Sequence, residues 1–246
     1  MSNTPMSTLG TRNWPSLVLI SAVGVLSLVI TLLVFLVAKV SDPSVLPINK
    51  VDVSGNLHYL KKSSLRETVL STLGERGFFR VNVKEIQSLL IAQPWVHKAV
   101  VRRVWKDTLL INIKEQVPVA HWGKNGFLNK DGEIFIPKKA VSISGLVRLT
   151  GPQGLEKVML EHYRIIVNKL TGISVGVTEV ILTDRGSWTI ITSGEKQLIF
   201  GKQFLSQRLE RFLLGYAENL SVRWESVKRI DLRYSNGFAV ASDTLL

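Results

Sequence analysis

None of the 246 residues is a cysteine, which excludes disulfide staples, thiolate metal sites and cysteine nucleophiles. The compartment stays open, because a well-packed exported domain folds without disulfides. Histidine is scarce too: His58, His97, His121 and His162 are the 4 present, and they show no metal-ligand spacing. His162 falls on a helix face, where a satisfied core position is the commoner role. The sequence has no HExxH, no G-x-S-x-G and no glycine-rich phosphate loop. No catalytic residue, cofactor site or metal site is therefore expected. Acid is also in deficit, with 19 Asp and Glu against 31 Lys and Arg and a net charge of +12. Nucleic-acid binding would need clustered bases with interleaved aromatics. Here the bases are spread thinly, and the densest group, Lys98, Arg102, Arg103 and Lys106, follows one strand. An anionic lipid surface, an acidic partner and a merely solubilising surface all remain compatible with the charge.

Residues 16–38 carry no charge and are dominated by Leu, Val and Ile. About 23 residues suffice to cross the hydrocarbon core with some tilt. Trp14 suits the headgroup interface in front of the run. A cleaved signal peptide would have a shorter apolar region and a small-x-small site; Val37-Ala38-Lys39 is a poor one. The run is expected to stay as a transmembrane helix. Arg12 before it, and Lys39, Asp42 and Lys50 after it, do not fix the orientation. A short tail without a core favours a cytoplasmic N-terminus.

Behind Pro43 and Pro47, residues 48–115 predict a β-α-α-β-β unit. Residues 48–53 alternate apolar and polar and break at Ser54-Gly55-Asn56. A helix follows, with Ser64 and Glu67 spaced as a capping box and Leu65, Val69 and Leu73 as its apolar stripe. A second helix starts at Asn82, buries Ile86, Leu89 and Leu90, and stops at Pro94. Two strands then pair, one presenting Val96, Val100 and Val104, the other Leu109, Ile111 and Ile113, around a Lys106-Asp107 turn.

The remainder predicts a sheet-rich region with a few packed helices. Phe127-Leu128-Asn129-Lys130-Asp131-Gly132-Glu133-Ile134-Phe135 reads as strand, turn, strand. Helices are expected over 155–170, with Leu155, Met159, His162 and Ile166 on one side, and over 204–216, with Leu205, Leu209, Phe212, Leu213 and Tyr216. Strands are expected over 178–183, 188–192 and 197–200. A last hairpin, 228–234 with 238–241, is predicted around Asn236-Gly237. The fold class is α+β: one membrane helix, then two extramembrane units.

Two sets of motifs carry a family resemblance. The first is Pro94-Trp95-Val96-His97-Lys98-Ala99-Val100-Val101-Arg102-Arg103-Val104-Trp105, with Leu109-Leu110-Ile111-Asn112-Ile113-Lys114-Glu115, Pro118-Val119-Ala120 and the upstream Val51-Asp52-Val53-Ser54-Gly55-Asn56. It resembles the POTRA domain of bacterial FtsQ/DivIB cell-division proteins. The second is Leu149-Thr150-Gly151-Pro152-Gln153-Gly154, Gln207-Arg208-Leu209-Glu210-Arg211-Phe212 and Ile230-Asp231-Leu232-Arg233-Tyr234-Ser235-Asn236-Gly237. It resembles the β-domain of the same family. The sequence departs from the pattern at Lys106, where the family usually has proline, and at Ala241 and Ser242, where it often has glycine and an aromatic.

The resemblance implies a domain order: a cytoplasmic tail (1–15), a transmembrane helix (16–38), a linker (39–47), a POTRA domain (48–116), a β-domain (117–242) and a tail (243–246). It also implies a non-enzymatic divisome scaffold needed for septum assembly. Such a chain would be single-pass in the inner membrane, with its C-terminal domains periplasmic, and would bind FtsB and FtsL and other division proteins. The POTRA unit would serve recruitment. Arg233, Tyr234, Ser235 and Gly237, with Arg185 beside them, would form the partner-binding surface. The alternative, a POTRA-containing polypeptide-transport or envelope-assembly module, would bring a signal peptide and a long series of barrel strands.

Overall fold

A computed structural model describes residues 14–40, 46–74, 76–139 and 141–242. Most of the expected N-terminal tail, the Pro43 segment of the linker and the C-terminal tail lie outside the described residues. Helix α1, Trp14–Val40, has 27 residues, about 40 Å at the usual helical rise. Its apolar stretch Leu19–Lys39 is 0% buried, as suits a helix whose solvent is lipid.

The chain divides into two compact units, one made of α1 and the residues up to Leu90 with Ala99–Ile113, the other of Ile91–Lys98 with the residues from Lys114 onward. The first unit follows the predicted order. Strand β1, Lys50–Ser54, is followed by helices α2, Lys62–Leu73, and α3, Val83–Ile91, then by β2, Val96–Val104, and β3, Thr108–Glu115. The sheet order is β1-β3-β2, with β1 parallel to β3. Leu109, Ile111 and Ile113 are buried as their alternation predicts, and so are the stripes Leu65, Val69 and Leu73 of α2 and Ile86 and Leu90 of α3. Each such side chain contributes about 1.5–3 kcal/mol on burial.

Helix α3 is capped by Asn82, whose Oδ1 accepts from the backbone N–H groups of Lys84 (3.1 Å) and Glu85 (3.3 Å). Helix α2 departs from expectation. It starts two residues before Ser64, with Lys61 as N-cap and no side-chain cap. Ser64 therefore lies inside the helix, where its carbonyl accepts from the Thr68 hydroxyl at 2.8 Å. Strand β2 also differs: its buried residues beyond Val96 are Ala99 and Val101, while Val104 is exposed. Val100 and Val101 offer an apolar side chain to both faces, so valine spacing alone does not choose the face.

The second unit is one nine-stranded sheet with the order β12-β11-β10-β9-β8-β7-β4-β5-β6. Its strands are β4, Pro118–Trp122, β5, Gly126–Asn129, β6, Ile134–Phe135, β7, Arg148–Thr150, β8, Val177–Leu182, β9, Trp188–Thr192, β10, Gln197–Gly201, β11, Val227–Asp231, and β12, Ala239–Ser242. Parallel neighbours need long crossovers. Helix α4, Glu156–Thr171, carries the chain from β7 to β8. Helix α5, Leu205–Gly215, carries it from β10 to β11, continued by a π turn, Tyr216–Leu220, and a 3-10 segment, Ser221–Ser226. Met159, Leu160, Ile166 and Leu170 of α4 and Leu209 and Phe212 of α5 join one core cluster with Val180, Ile190, Leu198, Phe200, Ile230 and Leu232. Leu155 is not part of the α4 stripe; it is the exposed N-cap. His162 is half-buried, its ring stacked on Trp188 at 4.9 Å.

The last hairpin is not a two-residue turn. Strand β11 ends at Asp231 and β12 begins at Ala239, so residues 232–238 form a longer connection. Gly237 is not among the glycines with positive φ, whereas an Asn-Gly type I′ turn requires one there. Leu232, fully buried, pulls the chain down into the core and ends the ladder early.

Candidate protein-docking edge

Strand β12 is the outermost strand at one side of the sheet, antiparallel to β11 through Asp231↔Ala239, Ile230↔Val240 and Arg229↔Ala241. Among the described residues no strand covers its outer side. Ala239, Val240 and Ser242 are exposed and Ala241 is half-buried. An edge strand offers a row of backbone N–H and C=O groups on which an extended partner segment can pair.

The 232–238 connection stands beside this edge and is held from below by α5. Arg208 and Arg211 are three residues apart and therefore neighbours on the helix. Arg208 donates to the carbonyl of Phe200 and, at 3.0 Å, to that of Arg233. Arg211 donates to the carbonyl of Tyr234 at 2.7 Å, with a longer contact to Gly237 at 3.5 Å. The Phe238 ring packs so closely on Gly215 that a Cβ there would lie 2.5 Å from its edge. The end of α5 thereby fixes the residue that precedes β12. Gly215→Ala is expected to displace Phe238 and speed amide exchange at 238–240; unchanged exchange would show that this contact does not hold the edge.

Arg233 and Asp231 form the main electrostatic feature. The guanidinium grips the carboxylate through Nε (2.9 and 3.1 Å) and Nη2 (2.6 Å), and the Arg233 backbone N–H adds a fourth bond at 3.1 Å. These hydrogen bonds hold the Asp231 carboxyl below the usual carboxylate range, with the charge of Arg229 adding to the effect, and Asp231 raises Arg233 in turn. A depressed folded-state value means that the pair's stabilisation is present above the ordinary carboxylate range and is lost as pH falls through the depressed value. The Asp231 carboxyl carbon is expected to titrate at lower pH than in the denatured chain, and Arg233→Ala should return it to the ordinary range. A wild-type midpoint at the ordinary value would contradict the pairing.

Gly201 completes the support. Its φ is 72°, and a Cβ there would sit 3.0 Å from Arg208 Nη1 and from Arg233 Cγ. Gly201→Ala is expected to destabilise the second unit by about 1–2 kcal/mol from the left-handed backbone alone, read as a shift in the denaturation midpoint.

Of the five residues implied by the resemblance, four fall on this connection. Tyr234 is 59% exposed, Arg233 and Ser235 are exposed, and Gly237 is half-buried. Arg185 lies in the turn between β8 and β9, exposed, at the same end of the sheet: Leu182 pairs with Trp188, Trp188 with Gly201, and Ile199 with Asp231. Only β10 stands between β9 and β11, so two strand spacings, about 10 Å, separate this turn from β11. The sequence reading missed Asp231, Arg208 and Arg211 as the supports of this surface. The three-residue spacing of the two arginines on an amphipathic helix was the available signal. Among the described residues, no group of three or more His, Asp or Glu side chains is arranged to hold a metal ion.

One apolar span, a small α/β unit and a large sheet with an open C-terminal edge fit a single-pass membrane protein with two extramembrane units. The profile of the FtsQ-type POTRA domain matches residues 46–116, and that of the C-terminal region of cell division protein FtsQ/DivIB matches residues 120–233. The chain is 32% identical over 224 residues to cell division protein FtsQ of Coxiella burnetii, covering 91% of this chain and 88% of that protein. It is 33% identical over 224 residues to FtsQ of Shewanella oneidensis (89% and 85%) and 32% identical over 200 residues to FtsQ of Vibrio cholerae (81% and 76%). The chain belongs to the FtsQ/DivIB family of cell-division proteins. The C-terminal profile ends at Arg233, so Tyr234, Gly237 and β12 lie beyond it.

Proposed function

We propose that this chain is a non-enzymatic scaffold of the divisome, anchored in the inner membrane with its N-terminus in the cytoplasm and both extramembrane units in the periplasm, at the division septum. Its second unit receives the FtsB–FtsL complex by strand addition to the outer side of β12. The observation that carries this reading is the uncovered edge of β12 next to an exposed Tyr-Arg pair. Tyr234 supplies a rigid amphipathic contact, and Arg233, pre-oriented by Asp231, offers its remaining donors to a carboxylate. Arg185, Ser235 and Gly237 complete the surface. The connection is already pinned by Arg208 and Arg211, so little ordering has to accompany binding, which favours affinity.

The test uses the full chain in detergent or nanodiscs and a periplasmic FtsB–FtsL segment. Binding that weakens on Arg233→Glu while folding is retained supports this surface. Wild-type binding that is indifferent to Arg233 and Tyr234 replacements would remove it.

A further inference from the structure

The chain-entry end of the first unit carries aromatic surface that its core does not absorb. Phe78 is buried, but Phe79 is 46% exposed, Val104 44% and Trp105 69%. The three rings form one cluster: Phe78 meets Phe79 edge-on at 5.3 Å and Trp105 at 5.8 Å, and Phe79 lies 6.4 Å from Trp105. The Arg103 guanidinium lies over Phe78 at 5.8 Å and donates to the carbonyls of Phe78 and Phe79. Arg80 and Lys106 flank the cluster and are exposed. Of the acids nearby, Glu85 is paired with Arg76 at 2.8 Å; Asp107 accepts only from the neutral Asn49 and Thr108 side chains and keeps its charge, one acid against the three cations Arg80, Arg103 and Lys106. Arg80 and Lys106 enter no ion pair among the described residues.

This end is also where the membrane tether arrives. The Phe78 N–H donates to the Leu46 carbonyl at 2.8 Å, and the Asn49 and Lys50 N–H groups donate to the Asp107 carbonyl at 3.0 and 3.2 Å. Both turns that carry the aromatic side chains are thus bonded to residues 46–50, where the linker ends and β1 begins. Between Val40, the end of α1, and Leu46 stand only residues 41–45. Even fully extended, they place Leu46 no more than about 20 Å from the helix end. With α1 across the bilayer, Lys39 stands at headgroup level, so the tether holds the aromatic end close to the lipid surface. Phe and Trp rings beside a net excess of Arg and Lys are the side chains that settle at such an interface.

We infer that this end of the first unit docks on the anionic headgroups of the membrane that holds α1. Phe79, Val104 and Trp105 enter the interface, and Arg80, Arg103 and Lys106 face lipid phosphates. The docked state orients the first unit against the bilayer. Tethering makes docking intramolecular, so weak contacts suffice, and salt weakens it by screening. The inference holds for either orientation of α1 and does not depend on the FtsB–FtsL reading.

Because the chain has no cysteine, a single introduced one takes a unique label. Full-length Val104→Cys carrying an environment-sensitive fluorophore would be placed in nanodiscs of phosphatidylcholine, with or without phosphatidylglycerol. Asn56→Cys, at the opposite end of β1, serves as control. The expected result is a blue shift at position 104 and quenching by headgroup spin-labelled lipid, in anionic discs only, with position 56 unaffected. Each cation removed should lower the docked-to-free ratio roughly fivefold, so Arg80→Glu with Lys106→Glu should abolish the quenching while circular dichroism stays unchanged. No quenching at 104, quenching equal to that at 56, equal quenching without anionic lipid, or quenching that survives the charge reversal would each overturn the inference. A patch reserved for a protein partner gives the first of these.

Discussion

Phe212→Ala is expected to destabilise the second unit by about 3–5 kcal/mol. Phe212 is fully buried, and its ring joins Tyr216 (5.9 Å) and Trp224 (6.0 Å), which themselves meet edge-on at 5.1 Å. The Lys196 ammonium lies over Trp224 at 5.5 Å and donates to the Glu225 carbonyl at 3.3 Å, closing the segment that leads into β11. Truncation leaves a cavity under α5, the helix whose arginines hold the 232–238 connection. Stability and the β12 edge should therefore fail together: the unfolding transition followed by far-UV circular dichroism moves to lower denaturant, and exchange at 232–238 quickens first. Val222→Ala is the contrasting control. Val222 is 91% exposed, and its replacement should stay within about 0.5 kcal/mol. A Phe212→Ala effect no larger than that of Val222→Ala would show that α5 is not packed as described.

Tyr234→Ala should behave in the opposite way. The side chain is 59% exposed and its backbone carbonyl, not its ring, is what Arg211 holds. Folding should hardly change. Binding of an FtsB–FtsL segment to the full chain should weaken by at least about 1–2 kcal/mol if the ring is an interface anchor. Equal binding by the folded variant would take Tyr234 out of the surface and leave the family membership untouched.

The elements that were legible in the sequence are those fixed by local pattern. Leu109, Ile111 and Ile113 alternate because β3 buries one face, and Asn82 caps α3 because its side chain reaches two backbone donors. The misreadings have a tertiary cause. Asn236-Gly237 has the composition of a tight turn, yet Leu232 and Phe238 are drawn inward while α5 bonds the carbonyls between them, and the loop lengthens. Strand β7, three residues long, carries too little pattern to read and is defined by its parallel neighbours β4 and β8. The family resemblance named residues on the connection, but not their supports. Asp231 lies only two residues from Arg233, whereas Arg208 and Arg211 reach the carbonyls of Arg233 and Tyr234 across more than twenty residues of sequence.

Amide exchange of Ala239–Ser242, with and without a saturating FtsB–FtsL segment, addresses strand addition most directly. If the partner pairs with the outer side of β12, amides of this strand that exchange freely alone become protected in the complex, and the far edge at Ile134–Phe135 does not change. Saturated binding that leaves β12 exchanging as in the free protein would contradict docking at this edge.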